Sequence, residues 1–313
     1  MPGISKRGTV MPASPIRKLA PYAEDARRRG IKIYKLNIGQ PDIPTPQVGL
    51  DALKSIDRKV LEYSPSDGQA SLRRKMSEYY SRFGNVVDPG AIIVTSGASE
   101  ALQFAFTACL NPGDEIIVTE PTYANYISFA MMAGAVVRPI KTEIADNFAL
   151  PGVEKFEELI NERTKAILLC NPNNPTGYVY GREEMQRLRD IVKKHDLYLI
   201  ADEVYREFNY TSETYVSSLD LEGVEQNVIL VDSVSKRYSE CGIRIGMMIT
   251  KNKEVYSACM RLAQARLSPP LLGQIVAEAS FDAPESYMRA NFEEYISRRD
   301  VLVEGLKAIP GVR

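Results

Sequence analysis

The stretch "NVILVDSVSKRYSECGIRIGMMIT", Asn227 to Thr250, decides the fold. "NVILV" is an apolar, β-branched run of strand length, and "RIGMMIT" is a second. Between them two serines flank Lys236, and eight residues past that lysine stands Arg244. A strand that delivers an amine at its carboxyl end, with an arginine close behind, suits an α/β sheet whose ligand gathers at the strand ends.

The same grammar recurs upstream. "AIIVTS" passes through "GAS" into the apolar helix "EALQFAFTACL", and "GDEIIVTEP" reads as the next strand. "KAILLCNPNNPTG" is a strand ending in a turn, followed by the helix "REEMQRLRDIVKKH" and the strand "LYLIADEVY". Short strands rich in Ile, Val and Leu that alternate with helices predict a mostly parallel sheet covered on both faces. Residues 1–45 read differently, with a basic helix signal in "IRKLAPYAEDARRRG" and a proline-rich close in "IYKLNIGQPDIPTP". We therefore expect an N-terminal arm with part of a small domain over 1–45, and a large domain over 46–290. The start of a C-terminal small domain is expected over 291–313, where "SYMRANFEEYISRRDVLVEGLKAIPGVR" reads as a long helix and a turn.

Composition narrows the chemistry. The 313 residues carry 39 Lys+Arg against 40 Asp+Glu, so nucleic acid and anionic membranes are poor partners. No apolar run reaches membrane-spanning length, and the four scattered cysteines fit neither a disulfide framework nor a zinc spacing, which points to a reducing cytoplasm. One histidine, His195, stands before a strand and leaves no material for a histidine-based triad. A phosphorylated aromatic aldehyde, by contrast, would find each group it needs. Lys236 offers the amine, Ser233 and Arg244 offer phosphate ligands, and the "SGAS" turn, Ser96–Ser99, opens a helix with free N–H groups. Asp202 ends a strand as a carboxylate for a pyridine nitrogen, Tyr205 can reach a phenolic oxygen, and Tyr123 can cover a ring face.

The motifs "YSPSDGQASLRRKM", "TSGASEAL", "EPTYANY", "NPNNPTG", "ADEVY" and "SVSKRYSECGIRIG" occur in that order. Over roughly residues 30–250 the chain resembles the class I/II aminotransferases of the aspartate aminotransferase fold, which depend on pyridoxal 5′-phosphate. The resemblance implies a seven-stranded sheet and a Schiff base on Lys236. It implies that Asp202 pairs with the pyridine nitrogen, while Tyr205 and Asn174 bond the phenolic oxygen. Gly97, Ala98, Ser99, Ser233 and Arg244 would hold the phosphate, and Tyr123 would stack on the ring. Tyr63 would reach the phosphate of a neighbouring subunit, making a homodimer part of the site, and Gly39 with Asn174 would help hold the substrate α-carboxylate. The family further suggests a cis Asn174–Pro175 bond and transfer of an amino group between an amino acid and a 2-oxo acid.

Two other chemistries use much the same cup: β- or γ-elimination on this scaffold, and a non-enzymatic sensor domain. A sensor of that kind follows a DNA-binding domain, for which residues 1–45 supply no pattern. Members of the family normally continue beyond the point where this chain stops, and Arg313 comes too early to be the arginine that clamps the α-carboxylate; a shortened chain that binds cofactor but turns over poorly is expected. Arg266, in "AQARLSPP", lies in the region where relatives place a second cation for acidic side chains, without matching its position.

Overall fold

The computed structural model describes residues 2–312, so Arg313 lies outside the described residues. Among the described residues there are seven strands: β1 (Ile92–Thr95), β2 (Glu115–Glu120), β3 (Val136–Lys141), β4 (Thr164–Cys170), β5 (Tyr198–Asp202), β6 (Val228–Ser233) and β7 (Gly246–Ile249). The helices are α1 (Lys6–Val10), α2 (Ala20–Arg28), α3 (Gln47–Lys54), α4 (Ala70–Ser81), α5 (Ala98–Cys109), α6 (Asn125–Ala133), α7 (Val153–Glu157), α8 (Arg182–His195), α9 (Val234–Arg237), α10 (Lys253–Arg266), α11 (Leu271–Ser280) and α12 (Glu285–Lys307).

The strands form one sheet in the order β1-β7-β6-β5-β4-β2-β3. Every pairing is parallel except those of β7, which runs against both β6 and β1. Alternation along the strands sorts their side chains between two faces. Ile93, Ile116, Val118, Leu168, Ile200, Ile229 and Met248 join a cluster with α5, α6 and α10. On the opposite face Ile117, Ile167, Leu169 and Leu199 pack with α8, and Ile92, Val94, Leu230 and Met247 pack with α4 and α11. Both faces are dry, which is why these strands read as continuous apolar runs.

Helix α8 shows the local logic. Its buried Met185, Leu188, Ile191 and Val192 recur at helical spacing, Glu184 closes its start by accepting from the Gly181 N–H at 2.8 Å, and Asp196 ends it at φ 49°. His195 lies at its basic carboxyl end and pairs with Glu157 at 3.0 Å. Strand β3 is the one the sequence pattern does not announce. It holds Pro139 and side chains of which Ile140 alone is buried, which an edge strand tolerates because one side of it has no partner to bond.

Candidate active site

The carboxyl ends of β1, β2, β4, β5 and β6 converge on one side of the sheet, and the predicted site residues follow them directly: Gly97–Ser99, Tyr123, Asn174, Asp202–Tyr205 and Ser233–Lys236. Strand β7 closes the group from the other direction. Its first residue, Gly246, pairs with Thr95 on one side and Ser233 on the other, so the preceding Arg244 falls between the "SGAS" turn and the lysine segment. Here glycine is required: a Cβ on Gly246 would stand 2.5 Å from the Gly97 carbonyl carbon and 2.6 Å from the Ala98 nitrogen. Arg244 itself takes φ 59°, and its guanidinium donates to the Cys241 carbonyl at 2.9 Å and to the Ser96 carbonyl at 3.3 Å, lying against Gly97.

Gly97 adopts φ 75° as the cap before α5, and the Ala98 and Ser99 N–H groups that open the helix have no intrahelical acceptors. The Ser96 N–H is occupied by Glu100, at 2.8 Å. Ser233 is buried. Its hydroxyl donates toward the Ile245 carbonyl at 2.7 Å and accepts from the Ser235 N–H at 3.1 Å, so in this structure it shapes the turn as the cap of α9.

Lys236 is half-buried and donates to the Gly39 carbonyl at 2.5 Å, with its Nζ 5.7 Å from the centre of the Tyr205 ring. Burial lowers the pKa of its amine below the ordinary lysine value, and Arg244 pushes the same way, against the opposing pull of Cys241 and Asp202. Asp202 is 4% exposed and pairs with no cation among the described residues. Burial pushes its pKa up to about 6, although the Tyr126 hydroxyl donates to Oδ2 at 2.7 Å and the Val204 N–H to Oδ1 at 3.2 Å. Burial likewise raises the phenols of Tyr205 and Tyr123. Tyr123 receives the Asn125 amide at 2.6 Å and meets Tyr126 edge-on, ring centres 5.3 Å apart. Asn174 is half-buried, lies between cis bonds at Asn171–Pro172 and Asn174–Pro175, and its carboxamide bonds no other described residue.

Two candidates stand apart. Tyr63 is 76% exposed, outside the cup. Arg266 is engaged inside the fold, 3.4 Å from Glu100 and donating to the Ser66 carbonyl at 2.9 Å, where it braces the "SGAS" turn through Glu100. Residues that sequence reasoning missed include Tyr126, Gly246 and Arg237. Only Tyr126 carried a signal, its place one helical turn after Tyr123.

The residues present fit the cofactor named above. A buried carboxyl without a cation suits a protonated ring nitrogen, the free N–H groups and Arg244 suit a phosphate, and an unengaged carboxamide suits a ring oxygen. Comparison with known proteins gives the same assignment. The family description "Aminotransferase class I and II" matches residues 31–313. The chain belongs to the class I and II aminotransferases. The aspartate aminotransferase of Thermotoga maritima is 33% identical over 306 residues, covering 97% of this chain and 80% of that protein. The aspartate/prephenate aminotransferase of Thermus thermophilus is 31% identical, covering 99% and 80%. Among solved structures, the T. maritima aspartate aminotransferase superposes with a TM-score of 0.91 at 32% identity, covering 97% of this chain and 80% of that one. An alanine aminotransferase from Pyrococcus furiosus gives 0.92 at 32% identity, covering 99% and 80%. This aminotransferase therefore has the aspartate aminotransferase fold and depends on pyridoxal 5′-phosphate.

Proposed function

We propose that this aminotransferase moves an amino group between an L-amino acid and a 2-oxo acid, with Lys236 as the amine that bonds the cofactor aldehyde. The observation that carries the assignment is the convergence of Lys236, Asp202, Tyr205, Asn174, the start of α5 and Arg244 at neighbouring strand ends. When bound, pyridoxal 5′-phosphate supplies the aldehyde for amine exchange and a protonated ring that takes up the electron pair left at the substrate α-carbon.

The protein's own groups then have distinct tasks. Lys236, its amine biased toward the neutral form by burial, takes the proton from the α-carbon and returns it one position along. Asp202 keeps a proton on the ring nitrogen by supplying the opposite charge in a dry site. Tyr205, held protonated by burial, donates to the phenolic oxygen, and the Asn174 amide donates beside it. Gly97, Ala98, Ser99 and Arg244 grip the phosphate; Ser233 joins them by turning its O–H from the Ile245 carbonyl to a phosphate oxygen. Tyr123 covers the ring, and Gly39 with Asn174 receives the substrate α-carboxylate, Gly39 already lying against the lysine amine.

The assembly is part of the proposal. Tyr63 lies exposed beside exposed Val60 and Leu61, as expected of a residue that completes a neighbour's phosphate site in a homodimer. The division into an arm and partial small domain over 1–45, a large domain over 46–290 and a further small-domain segment over 291–313 is supported by the core clusters, whose buried members all lie between Leu72 and Phe281. Four unpaired cysteines favour the cytoplasm, and among the described residues no helix is long and apolar enough to cross a membrane.

A spectral half-reaction tests the assignment. An amino acid added alone should convert the visible band of the loaded protein to the amine form of the cofactor, and a 2-oxo acid should restore it. Release of ammonia and a 2-oxo acid with no acceptor consumed would instead establish elimination.

A further inference from the structure

We propose that Arg237 is a positioning residue for the reaction: its buried guanidinium ties the turn that carries Tyr205 to the helix that carries Lys236, and thereby sets the tyrosine hydroxyl against the lysine and its bound cofactor. The proposal rests on the roles given above to Lys236 and Tyr205.

Helix α9 is a single turn, so consecutive side chains diverge by about 100°. Lys236 points to the cup, where it meets Gly39, while Arg237 points into the interior with 1% of its side chain exposed. Its Nη2 donates to Asp232 Oδ2 at 2.5 Å and its Nε to Glu207 Oε1 at 3.1 Å. Its flat face lies 4.0 Å from the centre of the Tyr79 ring. Both carboxylates are fixed from below by α4, since Tyr80 donates to Asp232 Oδ2 at 2.8 Å and Tyr79 donates to Glu207 Oε1. Asp232 also accepts the Ser233 N–H at 2.6 Å, which binds the cluster to the start of the lysine segment.

Glu207 is the informative partner. It stands two residues past Tyr205 in the same tight turn, in which the Phe208 N–H bonds the Tyr205 carbonyl at 2.8 Å. Among the described residues, the Arg237–Glu207 contact is the only side-chain hydrogen bond joining residues 204–208 directly to residues 233–240. Tyr205 and Lys236 project from those two segments on the cofactor side, 5.7 Å apart from ring centre to Nζ. A lateral slip at the pair below is therefore transmitted to the pair above.

Stability alone is a poor reason for such a group. Taking an arginine and two carboxylates out of water costs several kcal/mol per ion, and apolar residues of the same volume often serve a core as well or better. The cluster also leaves Arg237 Nη1 buried with no partner. What an ion pair supplies that packing does not is direction, because a hydrogen-bonded guanidinium holds its partners at fixed angles.

The test uses the loaded full-length chain and three substitutions: Glu207→Gln, Arg237→Lys and Tyr205→Phe. Glu207 keeps 18% of its side chain exposed, so the glutamine is tolerated. Misplacement of a reacting group by a fraction of an ångström costs about tenfold, so Glu207→Gln and Arg237→Lys should each lower kcat by about that factor while KM changes by less than about twofold. The visible band of the bound cofactor should also titrate at higher pH, because a weakened Tyr205 hydrogen bond no longer favours the ionised phenolic oxygen. In a Tyr205→Phe background, adding Glu207→Gln should move the band no further. Melting temperatures follow the variants in parallel. Variants that change only the melting temperature, with kcat and band titration as in the parent, would overturn the proposal, as would a Glu207→Gln shift that persists in full without the Tyr205 hydroxyl. A parent protein that forms no visible band would overturn the functional assignment itself, and this proposal with it.

Discussion

Asp202 carries the electrostatic signature of a buried carboxyl with no cation beside it. It is 4% exposed, and the groups that hold it are a phenol and a backbone N–H rather than a cation. In the cofactor-free protein its folded pKa, about 6, exceeds the ordinary value of 3.8. Its contribution to stability is therefore fully present below pH 3.8 and fades as pH rises through about 6. A bound pyridinium reverses that loss by supplying the missing positive charge. The stabilisation given by the cofactor should accordingly increase between those two pH values, measured as the difference in melting temperature with and without it, and Asp202→Asn should flatten the difference. The same substitution should lower kcat by at least about a hundredfold, the scale of a lost proton-holding group. The members of the candidate site were largely legible in the sequence, because the motifs that carry Lys236, Asp202 and Tyr205 each follow a recognisable strand, and the structure brings those strand ends together. The partners that orient them were not. Tyr126, Arg237 and Glu207 act through contacts made by chain segments far apart in sequence, and Arg266, in the region where a substrate cation was expected, turns out to brace Glu100.

Strand β7 is the element on which the cup depends. A parallel strand in its place would put its first residue at the far edge of the sheet; running antiparallel, it brings Gly246 between Thr95 and Ser233 and hangs Arg244 over the start of α5. Gly246→Ala drives a methyl group into the backbone at Gly97 and Ala98, with no flexible side chain to yield. We expect a loss of about 1–3 kcal/mol in stability, typical of overpacking, and at least about tenfold weaker cofactor binding. Denaturant unfolding and absorbance titration with pyridoxal 5′-phosphate measure the two effects separately. Weakened stability with unchanged cofactor affinity would show that α5 does not rely on this contact. The interior strands were readable because burial on both faces leaves an uninterrupted apolar run. Strand β3 was not, because an edge position admits Pro139 and polar side chains that mimic a loop.

At the scale of the whole molecule, the proposal that the exposed Tyr63 completes a neighbour's phosphate site makes the active site one shared between copies of the chain. Such sharing has a consequence that a self-contained site lacks. Lys236→Ala and Tyr63→Phe subunits, each impaired alone, should complement when mixed. In a hybrid dimer one site receives both substitutions and the other receives neither. After equal mixing and random exchange, about a quarter of the parent activity should return, because half the dimers are hybrids with one intact site. No recovery, with exchange confirmed by mass spectrometry, would confine each site to one chain.

The proposed reaction depends on a single bond, that between Lys236 and the cofactor aldehyde, and borohydride reduction of the loaded protein followed by peptide mapping detects it. The expected result is loss of the visible band, retention of one cofactor per chain after denaturation, and a modified peptide that contains Lys236. A reduced adduct on a different lysine, or no adduct while the band persists, would contradict it.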